Sequence, residues 1–254
     1  MIDLSRRAFI GRAAGAAAAL AIPIDLRQLA TPASREMGGD ASCVIVDLGE
    51  PGLQRESIAG FESALIDLQI PFARSRPTPD ADVVIVPGAL RMAPRVVHWL
   101  VGALDNGATV IVESAGVFAD AQSREFRDHR EMLSDVFALE IDAPASLWPA
   151  AGVPYVEYSW PVSVHVRDFS RAVAVRQHDG EVIGRVAGLP VAVHQCRGRG
   201  TLIFLGSPLG PALWAGDSEA RRWVAGTAGT AMTAGTAMTA AAAGPLVAVA
   251  WADS

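Results

Sequence analysis

Three short, almost wholly apolar runs constrain this chain more than anything else in it. They are Cys43-Val-Ile-Val-Asp-Leu48, Asp82-Val-Val-Ile-Val-Pro87 and Ala108-Thr-Val-Ile-Val112. Too few polar residues interrupt them to give a period of two, so each reads as a strand buried on both faces. Helical spacing fills the gaps between them. Ile58, Phe61, Leu65 and Leu68 recur on one face through residues 53–68. Pro94 suits the first turn of a second helix, which runs through Val97, Leu100, Val101 and Leu104 to Asn106-Gly107. Ile70 to Ala73 offers a further strand between the first two runs. Apolar strands alternating with helices imply right-handed βαβ units and a parallel sheet.

Beyond residue 123 the pattern changes. Ser123 to Phe137 is a charged helix whose Glu125, Arg127, Asp128, Arg130 and Glu131 form a solvated face. Short β runs follow at Val162–Val166, Ala172–Arg176, Val182–Val186, Val191–His194 and Thr201–Leu205, separated by turn signals such as His178-Asp179-Gly180. These predict antiparallel strands extending the same sheet, and a helix around Asp217–Val224 closes the domain. Residues 227–254 hold a direct repeat, Ala228–Thr233 copied as Ala234–Thr239. Too few bulky residues occur there to bury a core, so the segment reads as a low-complexity tail. The expected fold class is α/β: a flavodoxin-like three-layer sandwich, mainly parallel, with extra antiparallel strands in the C-terminal half.

Composition removes several function classes. All 21 basic residues are Arg, and the chain has no Lys. Schiff-base chemistry, pyridoxal phosphate anchoring and a P-loop lysine are therefore excluded. A net charge of −6 without a basic stripe argues against nucleic acid as a partner. The five His residues are scattered without HxH, HxxxH or CxxC spacing, so no metal or other cofactor is implied. Cys43 opens an apparent buried strand and Cys196 lies in a turn, which favours free thiols over a disulfide.

The N-terminus carries a separate message. Ser5-Arg6-Arg7-Ala8-Phe9-Ile10-Gly11 resembles the twin-arginine translocation motif, and Ala13 to Ile22 is a weakly apolar stretch too short to span a bilayer. Residues 1–33 are expected to be a signal peptide cleaved after Ala30 or Ala33, with 34–42 as a linker. The resemblance implies passage through the twin-arginine translocase and an exported, periplasmic or extracellular destination.

Residues 43–226 resemble the class I glutamine amidotransferase-like superfamily, in its non-amidotransferase branches. The resemblance is carried by Asp47-Leu48-Gly49, by Asp82–Gly88, by Asn106–Gly116 and by Arg199–Gly210. Amidotransferase chemistry needs a Cys thiolate at the strand-end elbow, with a His and an acidic partner. Here the elbow reads Val112-Glu113-Ser114-Ala115-Gly116, and Ser207-Pro208-Leu209 stands where the family has His-Pro-Glu. The resemblance thus implies a domain without glutaminase activity.

Two readings of the elbow stay open. Glu113-Ser114-Ala115-Gly116 resembles the nucleophile elbow of serine peptidases in the same superfamily, so Ser114 is a candidate nucleophile, with His98, His129, His165, His178 or His194 as its base. Alternatively Ser114 is a polar loop residue or ligand contact. Asp47, Gly49, Gly88, Glu113, Ser114 and Ser207 all fall at the carboxyl edge of the predicted sheet, where open α/β sheets bind ligands. Capping and turn chemistry would also account for Glu113. Trp148, Tyr155, Tyr158 and Trp160 concentrate aromatic residues, either as a sugar-stacking or partner surface or as packing against a helix. The function expected from the sequence is an exported, non-catalytic domain that binds a small polar or carbohydrate ligand or a partner protein. The alternative is a serine hydrolase using Ser114.

Overall fold

The computed structural model describes residues 43–50, 52–75, 81–147, 154–168 and 171–242. The expected signal peptide (1–33), linker (34–42), Trp148 and residues 243–254 of the expected tail lie outside them. The first half builds β1 (Cys43–Val46), α1 (Leu53–Asp67), β2 (Phe72–Ser75), β3 (Val83–Ala89), α2 (Pro94–Asp105) and β4 (Thr109–Ser114). A 3-10 turn, Ala115–Phe118, and α3 (Arg124–Phe137) follow. All residues of β1 and β3 are buried, as their continuous apolar runs require.

The second half is mostly β: β5 (Glu140–Ile141), β6 (Ala145–Ser146), β7 (Tyr155–Tyr158), β8 (Val164–Arg167), β9 (Arg171–Ala172) and β10 (Val175–Gln177). Then come β11 (Glu181–Val186), β12 (Leu189–Arg197), β13 (Gly200–Leu205), α4 (Gly210–Trp214) and α5 (Ser218–Ala242). The helix expected around Asp217–Val224 runs on through the direct repeat to Ala242. Asp217 starts it, its Oδ1 accepting from the backbone N–H groups of Glu219 and Ala220. No helix among the described residues is long and apolar enough to cross a membrane.

The nine-stranded main sheet has the order β2-β1-β3-β4-β13-β12-β11-β7-β8. Its first five strands are parallel and the remaining pairs antiparallel. This corrects the expected flavodoxin-like three-layer sandwich. The sheet is mixed, with four strands on one side added by antiparallel pairing. Beyond β13 part of one face is covered by the two-stranded β5–β10 ladder, whose Ile141 and Val175 join the apolar cluster there. The cause is local. β11 and β12 are joined by Ala187 and Gly188, both at positive φ (48° and 82°), a two-residue reversal that leaves no room for a crossover helix.

Apolar clusters lie on both faces of the parallel half. One gathers Ile58, Phe61 and Leu65 of α1, Leu213 of α4 and Trp223 of α5 against β1, β3 and β13. The other gathers Leu100 and Leu104 of α2 with Phe126, Leu133 and Phe137 of α3. α1 and α4 approach so closely that a Cβ at Gly60 would lie 2.1 Å from the Gly210 carbonyl oxygen, and one at Gly210 would lie 2.3 Å from Ser57 Cα. Two glycines facing each other permit that crossing and place α4 at the carboxyl end of β4.

Candidate functional site

The sheet's carboxyl edge is organised around the end of β4. Glu113 is fully buried at 0% exposure. Its Oε2 accepts from the Gly88 N–H at 2.8 Å and its Oε1 from the Gly210 N–H at 2.7 Å. One carboxylate thus ties the end of β3 to the start of α4. Desolvation raises its pKa, opposed by backbone N–H groups of Gly210, Gly88 and Leu209 and by the Ser57 hydroxyl.

Ser114 is equally buried and does not face solvent. Its Oγ accepts from Gly116 N–H at 3.0 Å, capping the 3-10 turn, and lies 3.0 Å from His129 Nε2. His129 comes from α3, where Phe126, His129, Leu133 and Phe137 are the buried stripe. Burial pushes its pKa down to about 4, against a weaker raising effect of the Leu90 backbone. Among the described residues its Nδ1 meets no partner in hydrogen-bonding geometry, although that backbone comes close enough to act on the ring. A buried neutral imidazole beside a buried hydroxyl forms a structural pair.

The remaining predicted residues divide between loop and interior. Asp47 Oδ1 accepts from the Gly49 N–H at 2.8 Å in a tight turn where Gly49 takes a φ of 76°. Asp47 also pairs with Arg74 at 2.7 Å, and that bond holds its carboxyl below the usual range. Ser207 is buried and donates to Asp168 Oδ2. Gly88, at φ 52°, lets the end of β3 pass against Gln54, whose Cα would be 2.8 Å from an added Cβ. The aromatic residues resolve mostly as packing: Tyr158 lies 5.3 Å from Trp223 ring to ring, and the Trp160 carbonyl accepts from Trp223 Nε1. Trp160 also stacks on His194 at 4.7 Å, whereas Tyr155 is exposed.

A cleft of about 700 Å³ opens beside this edge. β1 and its loop contribute Asp47 and Glu50, the start of α2 contributes Arg95 and Trp99, the loop between contributes Arg91, and α3 contributes Asp128 and His129. Trp99 Nε1 is buried with no hydrogen-bond partner among the described residues. Of the residues predicted from sequence only Asp47 and the candidate base His129 line this cleft. Glu50, Arg91, Arg95, Trp99 and Asp128 were not expected there. Two of these, Glu50 and Arg91, follow the breaks that end β1 and β3, a position that could have drawn attention to them. His129 was detectable as the polar member of an apolar stripe.

No family model matches the chain, and no curated protein is significantly similar to it. Solved structures do share its fold. A β-galactosidase from Bacillus circulans sp. alkalophilus aligns at a TM-score of 0.52 and 13% identity, over 71% of this chain and 30% of that one. α-L-Fucosidase isoenzyme 2 from Paenibacillus thiaminolyticus aligns at 0.53 and 12%, over 73% and 32%. A cytoplasmic protein of Salmonella typhimurium LT2 aligns at 0.54 and 10%, over 74% and 98%. The chain therefore spans about a third of the length of these glycosidases, and nearly the whole of the Salmonella protein.

These findings correct the expected function. The solved structures that share the fold include chains of glycoside hydrolases, and the expected non-catalytic amidotransferase-like binding domain gives way to the reading proposed below. The serine hydrolase alternative fails on geometry, because Ser114 is sealed and its hydroxyl is engaged as a cap.

Proposed function

We propose that the chain is a carbohydrate-active protein and that a saccharide enters the cleft between α2 and α3. The observation that carries this reading is the cleft's lining. Carboxylates (Asp47, Glu50, Asp128), guanidinium groups (Arg91, Arg95) and an indole (Trp99) converge on one concavity of ligand-binding size. A sugar presents hydroxyls that donate and accept, together with apolar C–H faces. Carboxylates take the donors, guanidinium groups serve the acceptors, and an aromatic ring suits the apolar face. The fold shared with a β-galactosidase and an α-L-fucosidase supports the same substrate class. Asp47, Glu50 and Asp128 are the groups a glycosidic bond would meet there.

Saturation-transfer NMR with galactose, fucose, glucose and mannose tests it. At least one should bind the folded protein, and Trp99→Ala with Arg95→Ala should abolish the signal. Absence of transfer from every sugar at millimolar concentration would refute the reading. We further propose export by the twin-arginine route, supported by Arg6-Arg7 and the weakly apolar stretch after them. Replacing both with Lys should hold the protein in the cytoplasm.

A further inference from the structure

We infer that the saccharide bound here is an oligosaccharide of at least two units, laid across a second compartment whose platform is Phe118. This rests on the carbohydrate reading above and adds to it the length of the ligand and a second subsite.

A separate hollow of about 480 Å³ lies beside the first, lined by Gly52, Leu53, Gln54 and Glu56 of the β1–α1 loop and α1, by Gly88, by Ala115 and Phe118 of the 3-10 turn and by Ala119 after it. Glu50, Leu90 and Arg91 line both. The two are therefore neighbours across one ridge. That ridge is fixed in place. Glu50 Oε1 accepts from the Arg91 N–H at 3.0 Å, the Glu50 N–H donates to Gln54 Oε1 at 2.7 Å, and Gln54 Nε2 donates to the Pro87 carbonyl at 3.4 Å. The Arg91 guanidinium pairs with the Glu50 carboxylate, Nε to Oε1 at 3.8 Å, and stays 69% exposed.

The compartments differ in chemistry. The first holds Asp47, Asp128, Arg95 and the indole, whereas the second shares Glu50 and Arg91, adds Glu56, is otherwise mainly apolar and carries Phe118, 51% exposed. A large aromatic ring left half open at the mouth of a hollow suits the C–H face of a sugar. One buried pair links the two. His129 lines the first compartment, and its partner Ser114 caps the turn that ends in Phe118. The first unit then meets polar groups, the link between units passes under Arg91, and the second unit rests on the ring.

Calorimetry on the full chain should compare galactose, glucose and mannose with their β-1,4-linked trisaccharides. One trisaccharide should bind about tenfold tighter than its monosaccharide, the scale of one aromatic platform. Phe118→Ala should bring that trisaccharide to the affinity of the monosaccharide, and Phe118→Trp should keep the gain. Phe118 is exposed, so neither change threatens the fold. A monosaccharide that binds with no gain for its trisaccharide, or a gain that survives Phe118→Ala, overturns the two-compartment inference and leaves the carbohydrate reading standing. Binding by none of the six sugars sinks both.

Discussion

The Ser114 hydroxyl lies 3.0 Å from His129 Nε2, and both residues are buried, at 0% and 2% exposure. The spacing is that of a nucleophile and its base, but the setting is that of a core hydrogen bond. Ser114 Oγ already accepts from Gly116 N–H, and the imidazole is held neutral by burial. A fluorophosphonate should therefore leave Ser114 unmodified in the folded protein, as read by intact mass and peptide mapping. Ser114→Ala should lower stability by about 1–2 kcal/mol, through the lost cap and the unpartnered His129 nitrogen. A native-dependent adduct on Ser114 would reverse this assignment.

His129 gives the fold an acid limit. Its folded pKa of about 4 lies below the ordinary His value of 6.5, so the unfolded chain binds the extra proton between those values. Stability is thus full above pH 6.5 and falls as pH drops toward 4, by up to about 3 kcal/mol. Glu113 acts in the opposite sense: its raised pKa gives stability that is present at low pH and lost as pH rises through its folded value. Comparison with His129→Gln cancels that shared contribution. Between pH 7 and pH 4.5 the parent's urea midpoint should fall further than the variant's.

The Glu113 carboxylate is a clamp between β3 and α4. Removing it strands the N–H groups of Gly88 and Gly210 in the interior, each costing about 1–3 kcal/mol. Glu113→Ala should destabilise by about 3 kcal/mol or more. Glu113→Gln should cost less, since one amide oxygen still accepts while its NH2 faces the other donor. Equal losses from the two variants in urea unfolding would show that volume, not the two hydrogen bonds, matters at this position.

Much of the parallel half was legible because β1, β3 and β4 need apolar residues on both faces, and runs such as Val83–Val86 allow little else. Ser123 was readable as the start of α3, and its Oγ indeed accepts from the Phe126 N–H. β7 was obscured because Tyr155-Val-Glu-Tyr158 drew attention as aromatic residues, although its exposures alternate as a strand's should. The run Ala172–Arg176 reads as one strand in the sequence but divides into β9 and β10, which pair with β6 and β5 in separate ladders. The cleft was the least legible part. Glu50, Arg91, Trp99 and Asp128 belong to four separate segments, and only the β1–β3 register and the seating of α2 and α3 bring them together. Asp47 and Glu113 were placed at the sheet edge by the ends of their strands, yet nothing local revealed that one would face the loop and the other the interior.

The crossing of α1 over α4 makes the sharpest prediction for the scaffold. Gly60 and Gly210 face each other with no room for a methyl group, and the atoms in the way are backbone: the Gly210 carbonyl for one, Ser57 Cα for the other. Backbone cannot rotate aside as a side-chain tip can, so α4 would have to move off α1. Such overpacking costs about 1–3 kcal/mol where side chains can yield, and more where they cannot. Gly60→Ala should therefore lose at least about 3 kcal/mol, despite the helix propensity gained by placing Ala in α1. Gly102, in α2 with open space around it, is the matched control, and Gly102→Ala should be neutral or stabilising by up to about 1 kcal/mol. Because the Gly210 N–H is also held by Glu113, displacing α4 breaks that bond too. The losses from Gly60→Ala and Glu113→Ala should then fall short of additivity in a double-mutant cycle. Full additivity would mean that α4 keeps its place when Gly60 is changed, and that the close crossing does not position the carboxyl edge of the sheet.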